Sequence, residues 1–280
     1  MLKPPCSYQG GKQRLSKQIV DYIFDHEFIT NRTKFYDLCC GSGAITVELI
    51  NRGIQPQNII MLDVSSWGLF WQQIGNGTFQ KEKWEGYCEK VPKDKNKIQN
   101  FMIELSKESA EIDESYKYLL LQSASFGGKQ IWKKDDAWCN TSFRNYWQPT
   151  ATSKRHSPVN PTQPSILELK NRVNEIITDC KGITCIHNDI TAIYSILETD
   201  ISSDSIIYLD PPYSKTTSYG YSFNLEEILS NLFDVTLRPI YVSEKEPIAE
   251  ESYKLNFTSK KGGISGNKSA EREEYLNVFR

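Results

Sequence analysis

The chain has 280 residues, 39% apolar, 24% charged and 12% aromatic, with a formal net charge of −2. That length suits one large domain, or a medium domain carrying a smaller insert, and the mixed composition excludes a fibre, a disordered tail and a peptide hormone. Seven cysteines, an odd number with Cys39 and Cys40 adjacent and no C-x-x-C pair, exclude a disulfide framework and a zinc site and are read as reduced thiols of a cytoplasmic protein.

The opening residues, MLKPPCSYQGGK, lack the apolar stretch of a secretion signal, and no run is apolar enough to span a bilayer, so no membrane role is expected. Leu15, Ile19, Tyr22 and Ile23 fall at helical spacing after Gly10-Gly11 and predict a helix from Leu15 to Phe24. Lys34 to Cys40 is a short apolar strand that runs into Gly41-Ser42-Gly43 and a helix from Ala44 to Asn51. Asn58 to Asp63 is a second buried strand, and the three together read as a right-handed βαβ unit opening an α/β sheet. Past Gly75 the alternation fades into a polar stretch and then a basic, aromatic one, closed by Pro149, Pro158, Pro161 and Pro164. An amphipathic helix from Ile166 to Ile177 restarts the rhythm, followed by strands over 182–189, 205–210 and 239–243 and a last strand over 274–279. The expected division is therefore one discontinuous α/β domain, 1–75 with 165–280, split by an inserted, mainly helical unit at 76–164. Gly10-Gly-Lys-Gln13 recurs at Gly127-Gly-Lys-Gln130 in different surroundings and reads as coincidence.

Two places carry chemistry. Gly41-x-Gly43 between strand and helix lets the backbone turn tightly against a ligand at the helix N-terminus, and Asp63, ending the next strand, is placed to grip ribose hydroxyls. Gly11-Lys12 does not complete a P-loop: the earlier glycine is missing and Gln13 stands where Ser or Thr would bind magnesium. The second place is Asp210-Pro211-Pro212-Tyr213, where two prolines stop an apolar strand and stiffen its exit at the sheet edge that binds ligands in open α/β proteins. A carboxylate beside a rigid carbonyl offers two acceptors for the two N–H groups of an exocyclic amine, whose lone pair is otherwise delocalised into its ring. The following aromatic can stack on a base drawn out of a duplex.

In order along the chain these blocks resemble the alpha group of DNA adenine-N6 methyltransferases, which includes the Dam-type enzymes. Tyr8-Gln-Gly10-Gly11-Lys12 resembles its aromatic-x-Gly-Gly-Lys element, FYDLCCGSGA its first cofactor motif, Asp63 follows on the next strand, and DPPY comes after a long insert. The resemblance touches both ends of the chain and implies a Rossmann-like, mixed-sheet methyltransferase fold. It implies transfer of a methyl group from S-adenosylmethionine (SAM) to the N6 amine of adenine in double-stranded DNA, with Asp210, Pro211, Pro212 and Tyr213 catalytic. Tyr8, Gly11 and Lys12 would hold the cofactor, Asp37, Gly41 and Gly43 line its amino-acid end, Asp63 bind its ribose, Asp189 sit by its adenine, and Asp210 complete the site, without a metal. The glycine block departs from the family's Glu-Pro-Phe-x-Gly-Gly-Gly, and Ile240-Tyr-Val-Ser243 with Glu244 matches its Ser-Tyr-Asn only loosely.

By the same resemblance the insert would recognise the target, with Ser125-Phe-Gly-Gly-Lys129 resembling a loop that enters DNA. Between Lys117 and His156 the lysines and arginines outnumber the acids by five, and Lys129, Lys133, Lys134, Arg144 and Arg155 are the expected phosphate contacts. The interleaved aromatics, taken singly, read as insert core. Ser259 to Lys268 reads equally as a substrate loop or a solvated one. Cys6, in a Pro-Cys pair resembling the nucleophile of cytosine-C5 methylases, lacks that family's supporting motifs and reads as a bystander. Two other readings stay open, a SAM-dependent amino-methyltransferase acting on RNA and a non-catalytic DNA-binding protein. Functional pairing with a restriction endonuclease is compatible with the resemblance, while target sequence and oligomeric state are not legible.

Overall fold

The computed structural model describes residues 1–199, 205–212, 223–257 and 273–280. In chain order the elements are α1 (Ser16–His26), β1 (Lys34–Leu38), α2 (Ala44–Asn51), β2 (Ile59–Leu62), α3 (Ser66–Asn76), α4 (Lys81–Lys90), α5 (Lys95–Leu105) and α6 (Glu114–Ala124). A hairpin of β3 (Trp132–Lys134) and β4 (Ala137–Cys139) follows, then α7 (Ile166–Asp179), β5 (Thr184–Ile186), α8 (Tyr194–Thr199), β6 (Ser205–Leu209), α9 (Leu225–Val235), β7 (Ile240–Glu244), β8 (Glu251–Lys254) and β9 (Tyr275–Phe279).

Seven strands form one sheet in the order β5-β2-β1-β6-β7-β9-β8. The first five are parallel, and β9 runs antiparallel to both β7 and β8. From β1 the chain travels outward through β2 to β5, then returns across β1 to lay β6 and β7 on its other side. The loops leaving β1 and β6 therefore part in opposite directions and open a crevice at the carboxyl ends of the strands.

Strand alternation divides the core between the two faces. Ile206 and Tyr208 join α1, α2, α3 and α7 in one cluster, whereas Ile207 and Leu209 face a second cluster with α8 and α9. Phe35 of β1 belongs to the first, Tyr36 and Leu38 to the second. Burying a side chain as large as Trp67, Trp71 or Trp84, all within the first cluster, contributes roughly 1.5–3 kcal/mol or more.

Residues 76–164 begin with three helices and a hairpin and continue to Pro164 with little regular structure. Their helices do not close a core apart: α4 packs on α7, α6 packs on α3, and Trp84, Met102 and Leu119 belong to the same cluster as the sheet residues. The hairpin turns at Asp135, whose φ of 53° a small acid tolerates. Neither it nor β8 is foreseen in the hydrophobic pattern, because β8 is an edge strand whose last two residues are exposed. β5 is shorter than the expected 182–189, since Gly182 stands at a positive φ and Asp189 already caps a short 3-10 turn. All seven cysteines are free, and among the described residues no helix is long and apolar enough to cross a membrane.

Candidate active site

Backbone bonds lock three strand exits side by side. The Asp210 N–H donates to the Leu38 carbonyl at 3.1 Å, Cys40 N–H to Leu62 at 3.1 Å, and Asp63 N–H to Ile186 at 3.2 Å. The turn after β1 bends sharply, with positive φ at Cys39 (58°), Gly41 (49°) and Gly43 (72°). Asp63 braces it: its Oδ2 accepts from the Gly41 N–H at 2.8 Å, while Oδ1 accepts from Ser65 N–H at 2.8 Å and Ser65 Oγ at 2.6 Å. The Tyr8 ring lies over the turn, so close that a Cβ on Gly41 would sit 3.1 Å from its Cε1.

Asp210 follows Ile206 and Tyr208 in the same parity, toward the face that carries α1. There Lys12, 3% exposed, contacts Asp210 Oδ1, the Glu274 carboxylate at 3.0 Å and the Gly10 carbonyl at 3.0 Å. Burial pushes the Asp210 carboxyl up to about 7; the Lys12 ammonium opposes the rise and Glu274 adds to it. Asp37 is likewise pushed up to about 6 by burial, against the Thr46 N–H and hydroxyl that donate to its Oδ2. Burial lifts the thiols of Cys39 and Cys40 well above their usual range and that of Cys6 to about 12, which leaves no thiolate for nucleophilic work.

These exits line one cleft. Tyr8, Gly11, Lys12, Asp37, Gly41, Asp63, Asp189, Asp210, Pro211 and Pro212, far apart along the chain, all line it. Tyr213 lies outside the described residues. Gly43 does not line the cleft, contrary to expectation: Trp71 packs against it, and a Cβ there would fall 2.2 Å from the indole Cζ2. Its role is to turn the chain and admit that ring. Asp63 reaches the cleft, yet three donors of this protein already engage its carboxylate. Asp189 spends Oδ1 on the Thr191 N–H at 3.0 Å.

Sequence reasoning missed Glu274, Gln130, Ser65, Ile190 and Phe223. Glu274 had no local motif, only its place at the start of the last strand. Gln130 closes the repeated tetrapeptide set aside as coincidence; its Oε1 is buried without a hydrogen bond although the residue lines the cleft.

The lining suits a SAM-sized ligand on the chemistry of its donors. A bare backbone at Gly41 permits close approach, carboxylates suit hydroxyls and a cationic centre, Ile190 and Phe223 offer apolar contact, and the buried Gln130 Oε1 has no hydrogen-bond partner among the described residues.

The expected DNA contacts divide. Lys129, Lys134 and Arg155 are exposed, Arg155 Nε donating to the Ser157 carbonyl at 2.8 Å. Lys133 instead pairs with buried Glu114 at 2.7 Å, and half-buried Arg144 donates to Gln163 Oε1 at 3.0 Å. Lys117, counted in the basic excess, is 3% exposed and paired with Glu108, so it belongs to the core. Of the aromatics Trp138 and Phe143 are buried, while Phe126 and Trp147 are exposed. The 259–268 segment lies outside the described residues.

A family model described as D12 class N6 adenine-specific DNA methyltransferase matches residues 8–246. No curated protein matches the chain. Among solved structures, the rRNA methyltransferase aviRa from Streptomyces viridochromogenes is 13% identical, with 95% of this chain and 84% of that one covered and a TM-score of 0.37, too loose to bear on the substrate.

Proposed function

The chain belongs to the D12 class of N6 adenine-specific DNA methyltransferases, and from that premise we propose which of its residues carry the reaction. The enzyme transfers a methyl group to the N6 amine of adenine in DNA, which sets aside RNA and a purely binding role. Its fold is the Rossmann-like methyltransferase fold with a mixed sheet and a helical insertion.

The cleft at the ends of β1, β2 and β6 is the cofactor and substrate site. When bound, SAM supplies a methyl group on a sulfonium centre. Tyr8, Gly11, Asp37, Gly41, Asp63 and Asp189 hold that ligand; with its carboxylate engaged by Gly41 and Ser65, Asp63 acts as much by bracing the turn as by contact. The observation that carries this reading is the placement of Asp210: its backbone is pinned to Leu38, Lys12 occupies Oδ1, and no described residue donates to Oδ2. One N–H of the adenine amine then donates to Oδ2 and the other to the Pro211 carbonyl, which localises the nitrogen lone pair and aligns it for direct displacement. Two consecutive prolines keep that carbonyl from rotating away. Once methylated, the amine would carry a surplus proton, and Asp210, with a proton affinity near neutrality, is placed to take it.

The adenine must leave the duplex to reach this floor, and Tyr213 is proposed to stack on it. Residues 76–164 form the target-recognition unit, with Lys129, Lys134 and Arg155 on phosphates. Sequencing of modified bases in cells expressing the chain identifies the target. A duplex carrying 2-aminopurine at that adenine should then brighten on binding; unchanged fluorescence with intact methylation would refute extrusion.

A further inference from the structure

We propose that Glu274 is a positioning residue for the methyl-transfer carboxylate: it shares the Lys12 ammonium with Asp210 and so keeps Asp210 only partly neutralised. This rests on the assignment of Asp210 above. The three groups are drawn from the N-terminal turn, the exit of β6 and the entry to β9, the antiparallel strand beyond β7. Lys12 is 3% exposed, and the side chains of Asp210 and Glu274 are 18% and 10% exposed. Away from water, charges this close interact strongly. Facing Asp210 alone, one ammonium would form a neutral pair, lower the carboxylate's basicity and weaken its grip on the amine's N–H. A second carboxylate on the same ammonium leaves these three groups with one negative charge in excess. That charge keeps Asp210 basic and favours a cationic ligand over a neutral one.

Among the described residues, the titratable groups that also face the cluster include Asp37 on β1, Glu244 on β7, the Cys39 thiol, and the Tyr208 hydroxyl, bonded to Ser243 at 2.7 Å. Asp37 and Glu244 are acidic, and Lys12 is the cation in contact with Asp210 among the described residues. Glu274 is the acid in direct contact with that charge, so it has the greatest leverage.

Glu274→Gln keeps the shape and a carbonyl for Lys12 while removing the charge. Its pH midpoint for kcat/KM should fall by about one unit relative to the parent. The ratio of calorimetric affinities for SAM and for the neutral S-adenosylhomocysteine should also fall several-fold, a readout that needs no turnover. A folded Gln variant with an unmoved midpoint and an unchanged ratio would overturn the inference, since a merely structural glutamate moves stability and not these quantities. Should that variant unfold, Glu274→Asp draws the charge back from Lys12. Its midpoint should shift down to a smaller degree, and an unmoved one refutes the proposal. Asp210→Asn run alongside separates the two readings. If it is inactive while Glu274→Gln is unmoved, only the role of Glu274 fails; if it is active, the assignment of Asp210 fails first.

Discussion

Trp71 occupies the volume that a side chain on Gly43 would need, and its indole N–H donates to the Gly41 carbonyl at 3.0 Å. The glycine turn is thus clamped from the α3 side as well as by Asp63. Gly43→Ala must place a Cβ 2.2 Å from Trp71 Cζ2 at a φ of 72°. The left-handed backbone costs about 1–2 kcal/mol and the overlap a further 1–3. Chemical denaturation should show that combined loss, and Trp71→Leu added to Gly43→Ala should recover part of the overlap cost.

The ionised form of Asp210 is the one that accepts the amine's N–H. Because its carboxyl sits at about 7 in the ligand-free protein, kcat/KM should drop about tenfold per unit as pH falls below that value and level off above it. Lys12→Gln removes the cation that restrains the rise, so the midpoint should move upward. A profile flat between pH 5 and 8 contradicts the assignment.

Asp37 links the site to stability. Its carboxyl is held at about 6, above the value near 4 of an unfolded chain. The folded state binds this proton more tightly, so the contribution is full below about 4 and is lost as pH rises through about 6. Asp37→Asn keeps an acceptor for Thr46 and removes the titration. Unfolding free energies at pH 4.5 and 6.5 should differ less in the variant than in the parent.

Charge removal in the insert should separate two kinds of lysine. Replacing Lys129, Lys134 and Arg155 by Gln should leave stability unchanged and flatten the salt dependence of DNA binding by about 0.9 per lost phosphate contact. Lys133→Gln leaves Glu114, 6% exposed, without its cation, and should cost about 1–3 kcal/mol of stability. Equal salt slopes for the triple variant and the parent would remove these residues from the interface.

The two acids at strand exits, Asp63 and Asp210, were legible because punctuation marks them: apolar runs stop at Asp63 and before Pro-Pro, as another stops at Cys-Cys-Gly, and such exits gather on one sheet edge. The function of Gly43 was not, since Trp71 approaches it from another helix. Glu274 escaped for the same reason, as its partner Lys12 lies at the far end of the chain. Basic residues in the insert could be counted from sequence, but not sorted, because Lys117 and Lys133 look like Lys129 until their acidic partners are placed. Local patterns report strand ends; they are silent on pairings that only the sheet order creates.

The central claim is that the Asp210 carboxylate draws the N6 amine into line. It is tested most directly by single-turnover transfer of labelled methyl from SAM to duplex DNA carrying the target, comparing the parent with Asp210→Asn. The account predicts unchanged folding, retained SAM binding and a transfer rate lower by a factor on the order of 100 or more. Transfer by Asp210→Asn at the parental rate would contradict it.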